Sequence, residues 1–246
     1  LNGQVSFEVE HTRPVALVRP HGVLDAYTAA DLRRVLLDCL VEQPTGIILD
    51  TSQLSIADDL GLTVLAGVAR ESQRWPGARF VMVGDPNVQR AAARLGIDQF
   101  VTVCGDFVAA EALVNQVPVP PSRHDRMRPD RNAPALARLA VQEFCEECGV
   151  AGDGDAAQLV ASELVTNAVV HGRTELDLTL RLVGPLLHIA VRDTGPGQAR
   201  ITDIVNESSP TGRGLLLVDA LSTGWGNLLP NNGKVVWATV RVAVAR

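Results

Sequence analysis

Glu163, Asn167 and His171 stand at four-residue intervals in "SELVTNAVVHG" (162–172). On a helix that spacing puts a carboxylate, an amide and an imidazole in one row. Leu159, Val160, Leu164 and Ala168 cover another face. Such a row is unusual on a core helix, although a solvated polar face would read the same way. Further along, Asp193 opens "DTGPG", with Gly195 and Gly197, and glycines at this spacing admit close backbone approach. Gly212 and Gly214 lie just before a helical run in "TGRGLLLV", where bare N–H groups at a helix start suit phosphate. Each signal is weak alone.

The elements that must position these residues follow from periodicity. Pro134 fits the first turn of a helix running to about Cys148, and "GDGD" (152–155) caps a second helix, 155–172. "ELDLTLRLV" (175–183) alternates strictly, with Leu176, Leu178, Leu180 and Leu182 on one side, and so predicts a half-buried strand. "LLHIAVRD" (186–193) is its hairpin partner across Gly184-Pro185, and it delivers Asp193 at its end. A helix from Gly214 to about Leu221 and strands near 224–229 and 234–243, joined by "PNNG", complete an α/β sandwich. Its helices lie on one face of a mostly antiparallel sheet.

The first half has another rhythm. Strands are expected at Gln4–His11, Val15–Pro20, 46–50 and 78–84, with helices at about 28–42, 60–74, 88–95 and 107–116. Alternation of this kind predicts a mixed sheet with packed helices. Between the halves, residues 118–134 hold five prolines and four arginines with no apolar period. That composition predicts an extended linker over 118–131, separating a domain at 1–117 from one at 132–246.

Hydrophobic residues make up 46% of the 246 against 20% charged, enough for a core in each half, and aromatics are only 4%, so those cores are aliphatic. A net charge of −6 argues against direct nucleic-acid binding. No apolar run is long enough to span a membrane and the first ten residues do not read as a signal peptide, so a cytoplasmic protein is expected. Cys145 and Cys148 lack the further ligands of a zinc site and the preceding strand of a redox motif, and read as reduced cysteines.

"SELVTNAVVHG", "VRDTGPG" and "TGRGLLLV" together resemble the N, G1 and G2 boxes of the GHKL-type (Bergerat) ATPases, in wording most similar to the serine-kinase-type anti-sigma factors. The resemblance covers about 132–246. It implies ATP and Mg²⁺ as cofactors. Asn167 would hold the metal, with His171 in the same box, and Asp193 would accept from the adenine amino group. Gly195 and Gly197 would let the backbone pass the nucleotide, while Gly212, Arg213, Gly214 and Leu215 would close on the phosphates. Glu163 would be the general base in phosphoryl transfer to a serine hydroxyl. Residues 198–211 would be a lid, with Arg200 its one cation. The sequence departs from relatives at "GKVVW" (233–237), where they often carry a hydroxyl. A histidine-phosphorylation helix is missing upstream, which argues against a two-component sensor.

In the first half, "GIILDTSQLSIADDLGLTVL" (46–65) resembles the STAS domain of anti-sigma factor antagonists. Those proteins carry a phosphorylated hydroxyl where this chain has Leu60, flanked by Asp58 and Asp59, so no phosphorylation is expected there. Leu60 is either part of a docking surface or a residue packed at the helix start. Asp59 would partly imitate a phosphorylated state. The combination implies a partner-switching regulator: a kinase domain acting on a separate STAS antagonist, binding a sigma factor, and tethered to a STAS domain that could fold back on it. A non-catalytic nucleotide-dependent binding module is the alternative, and a homodimer is left open.

Overall fold

The computed structural model describes residues 4–12, 14–75, 77–116, 118–151, 154–195, 212–229 and 233–244. The chain is an α/β protein of two units, Leu1–Val119 and Pro120–Arg246.

In the first unit, β1 (Val5–Thr12) and β2 (Val15–Leu24) form an antiparallel hairpin. β3 (Gly46–Asp50), β5 (Arg79–Val83) and β6 (Thr102–Cys104) extend it in parallel, and β4 (Leu54–Ile56) pairs with the far end of β2. β3 and β5 are continuous apolar runs because both faces of this sheet are covered. Leu17, Ile48, Val81 and Val83 pack with Ala110 and Val114 of α4 (Phe107–Asn115). Helix α1 (Ala29–Val41) buries Leu32, Leu36, Cys39 and Leu40 at the expected spacing. α2 (Val64–Arg74) follows a 3₁₀ turn at Asp59–Thr63, and α3 (Pro86–Arg94) is capped by Asp85, whose carboxylate accepts from the Asn87 and Val88 N–H groups. Strands β4 and β6, three residues each, are too short to show a period in sequence.

The second unit has a five-stranded antiparallel sheet in the order β11-β12-β10-β9-β7. These strands are β7 (Ser122–Met127), β9 (Leu176–Val183), β10 (Leu186–Asp193), β11 (Gly224–Leu228) and β12 (Lys234–Arg241). A short β8 (Val150–Ala151) pairs with β13 (Ala243–Val244). Helices α5 (Ala133–Glu147), α6 (Asp155–Asn167) and α7 (Gly212–Leu221) complete the unit. Val141, Phe144, Val160, Leu164 and Val218 from the helices share one core with Leu178, Leu180, Ile189 and Val236 from the sheet.

Three expectations need correction. The middle of the predicted linker is strand β7, paired in register with β9 from Ser122↔Arg181 to Met127↔Leu176. Prolines 118, 120, 121 and 129 flank this strand and none falls within it, which suits a sheet edge. Its charges are engaged: Arg123 meets Asp125 and Glu143, each at 2.8 Å, and Arg126 meets Glu175 at 2.7 Å. Second, α6 begins at Asp155 after the N-cap Gly154, whose φ is 62°, with no side-chain cap. It ends at Asn167 and gives way to one π-helical turn, Ala168–Gly172. The wider turn departs from the 3.6-residue period, and His171 within it is exposed. Leu159 is also exposed rather than packed. Third, β9 is not half-buried, since Thr179 and Arg181 on the face opposite the leucines are buried too.

On that opposite face His188 lies across from Arg181, and its Nδ1 is 3.4 Å from the Thr239 hydroxyl. Burial, with the Arg181 cation, holds the His188 pKa down to about 4. An unfolded histidine titrates near pH 6.5. The unfolded chain therefore binds the extra proton first, and stability present above about pH 6.5 is lost as pH falls toward 4. The loss should reach at most about 3 kcal/mol. Urea unfolding across this range should show it, and His188→Gln should flatten the profile; an equally steep profile in the variant would assign the effect elsewhere.

Candidate functional site

The end of β10, the end of α6 and the start of α7 carry the chemistry-bearing residues. Asp193 is the last residue of β10 and only 1% exposed. Its Oδ1 accepts the Gly195 N–H at 3.1 Å, and its Oδ2 lies 3.6 Å from the Lys234 ammonium. Burial pushes its carboxyl up from the ordinary range, against the opposing pull of Lys234, the Gly195 N–H and His171.

Glycines enclose this carboxylate. A Cβ at Gly172 would stand 2.6 Å from Asp193 Oδ1, and one at Gly195 would strike the Gly172 backbone. A Cβ at Gly233, whose φ is 99°, would strike the Asp193 carbonyl. The π-turn, the end of β10 and the start of β12 thus meet at backbone distance, and no side chain could be added between them. The π-turn itself brings Gly172 to that contact. Across the site, a Cβ at Gly214 would collide with the Glu163 carboxylate, so Glu163 lies against the first turn of α7. Glu163 and Asn167 are both partly buried, one helical turn apart on α6.

The fold therefore sets Gly172 and Gly195 against Asp193 and Gly214 against Glu163, with Asn167 one helical turn from Glu163. His171 is exposed but still acts electrostatically on Asp193. Leu215 is 7% exposed, a buried side chain of α7. For Gly212 and Arg213 the helical backbone alone is described, and Gly197 and the expected lid at 198–211 lie outside the described residues. Sequence reasoning missed Gly172, Gly233 and Lys234. Lys234 is the cross-strand neighbour of Asp193 through the register of β10 and β12.

The set fits a nucleotide. Its buried acceptor is enclosed by glycines that leave the backbone bare, and a ten-residue helix starts against the Glu163 carboxylate. For a divalent cation, Asn167 offers one hard oxygen. Among the described residues no group of three or more His, Cys, Asp or Glu could hold a metal, so phosphate and water would supply the other ligands. Cys145 and Cys148 are free, and burial pushes both thiols up, which disfavours the reactive thiolate.

In the first unit Leu60 is 62% exposed, which overturns packing at the helix start. The Asp58 carboxylate accepts the Leu60 N–H at 2.9 Å and so holds the turn. Asp59 is ion-paired with Arg94.

Residues 6–110 match the model of the STAS domain, and residues 127–240 match the model of the histidine kinase-like ATPase domain. No curated protein gives a significant match. Among solved structures, an anti-sigma factor antagonist from Mycobacterium paratuberculosis is 22% identical, with a TM-score of 0.40 over 46% of this chain and 95% of that one. The anti-sigma factor antagonist SpoIIAA in its unphosphorylated form is 20% identical, with a TM-score of 0.37 over 46% of this chain and all of that one. The histidine kinase AdeS of Acinetobacter baumannii is 15% identical, with a TM-score of 0.32 over 73% of this chain and 94% of that one. The chain is a STAS domain followed by a histidine kinase-like ATPase domain.

Proposed function

We propose that the second domain is an ATP-dependent protein kinase of the partner-switching type, acting in the cytoplasm on a serine or threonine of a separate STAS-domain antagonist and binding a sigma factor. The observation that carries the reading is the buried Asp193 carboxylate, walled by Gly172, Gly195 and Gly233, with Glu163 across the site. ATP with Mg²⁺ would supply the transferable phosphoryl group. Asp193 would hold the base, Asn167 would be the protein ligand of the metal, and the backbone from Gly212 to Gly214 would face the phosphates. Glu163 would take the proton from the acceptor hydroxyl.

The first domain supplies a STAS surface without an acceptor. Leu60 has no hydroxyl, and its exposure leaves an apolar side chain where antagonists present their phosphorylated residue. Such a surface would dock without being switched.

A titration with ATP and ADP, with and without Mg²⁺, tests the nucleotide site. Asp193→Asn should weaken both nucleotides equally, by about 1–3 kcal/mol, because the contact is to the base. Unchanged affinities would remove Asp193 from the site. Tight ATP binding by the native protein, with no transfer to any STAS antagonist, would favour the non-catalytic binding module.

A further inference from the structure

We propose that Lys234 reads the nucleotide base jointly with Asp193, as the donor half of a two-point contact that selects adenine over guanine. The inference rests on the nucleotide-binding reading above and deepens it. Lys234 opens β12 directly across from Asp193, so both side chains project to the helix-covered face of the sheet. Their side chains are 5% and 1% exposed. Among the described residues Asp193 is the partner of the Lys234 ammonium, at 3.6 Å. An ammonium has three donors, and a carboxylate accepts at about four positions. The Gly195 N–H and Lys234 use two of those positions. The pair therefore keeps an acceptor and a donor side by side.

That order matches one purine edge. Adenine presents an amino donor at N6 beside a bare acceptor at N1. With N6 donating to Asp193, N1 faces the Lys234 ammonium. Guanine in the same pose reverses both signs: O6 meets the carboxylate and N1–H meets the ammonium. A buried site built around hydrogen-bonding groups rejects a ligand that leaves them unmatched far more strongly than an apolar pocket rejects a change of size.

Calorimetric titration of the full chain with ATP, 1-deaza-ATP and GTP tests the assignment. 1-Deaza-ATP keeps the amino group and replaces N1 by C–H. The native protein should prefer ATP over 1-deaza-ATP by about tenfold to a hundredfold, the worth of a hydrogen bond to a charged donor. It should reject GTP by about a thousandfold or more. Lys234→Met should bring the ATP to 1-deaza-ATP ratio close to one. If that variant does not fold, the neutral pair Asp193→Asn with Lys234→Met should give the same ratio. A ratio in the variants equal to the native one would make Lys234 purely structural and overturn the proposal. So would tighter ATP binding by Lys234→Met, which would show that the ammonium competes with the base for Asp193. GTP binding within tenfold of ATP would overturn it as well. In those three cases the nucleotide site itself stands; native protein that binds none of the three nucleotides removes the site and this contact together.

Discussion

Glu163→Gln should leave nucleotide binding intact and lower phosphoryl transfer by about 10²–10⁴-fold, the usual contribution of a positioned general base. Glutamine keeps the shape of glutamate and can occupy the same place against Gly214, where no Cβ intrudes. What it loses is the ability to accept a proton at neutral pH. Loss of the negative charge near the start of α7 should cost only about 0.3–1 kcal/mol of stability, so the variant remains folded. Single-turnover transfer to a purified STAS antagonist, with ATP affinity measured on the same preparation, separates the two effects. Transfer at the native rate would remove Glu163 as the base. A matching loss of ATP affinity would make it a binding residue.

The architecture was legible wherever one period dominated. Four leucines at two-residue spacing gave β9, and Leu32, Leu36, Cys39 and Leu40 gave the buried stripe of α1. β7 was not legible, because its charged side chains alternate without an apolar set and its sheet partner, β9, lies about fifty residues away. Prolines on both sides then gave 118–131 the look of a linker. The break in α6 was hidden for a different reason. Nothing in "AVVHG" forbids a helix, and the π-turn occurs where Gly172 packs against Asp193, a contact made only in the folded chain. The site divides in the same way. Glu163, Asn167, Asp193 and the glycines around them stand in short contiguous strings. Lys234 lies 41 positions beyond Asp193 and joins it only through the register of β10 and β12. "GKVVW" could be seen as a departure from relatives, but the partner of its lysine could not be named without that register.

Lys234→Met alone should destabilise the second domain by about 3–5 kcal/mol, and Asp193→Asn together with Lys234→Met should recover most of that loss. Removing one partner of a buried ion pair strands the other charge, whereas neutralising both is often nearly neutral for stability. The Gly195 N–H remains on Asp193 in the single variant, but one neutral donor does not replace an ammonium 3.6 Å away. The pH dependence identifies the cause. Burial already pushes the Asp193 carboxyl up, and Lys234 opposes that shift, so deleting the lysine raises it further. A carboxyl with a raised folded pKa holds its proton where the unfolded chain, titrating near pH 4, has released it. Its penalty is therefore absent below the unfolded value and grows as pH rises through the folded one. The deficit of Lys234→Met relative to native protein should be small near pH 4 and larger at pH 7. The His188 effect runs the other way but is common to both proteins, so it cancels in the difference. Equilibrium urea unfolding of the native chain, the single variant and the double variant at both pH values decides the matter. A deficit independent of pH, or undiminished in the double variant, would trace the loss to packing of the lysine stem rather than to the stranded carboxylate.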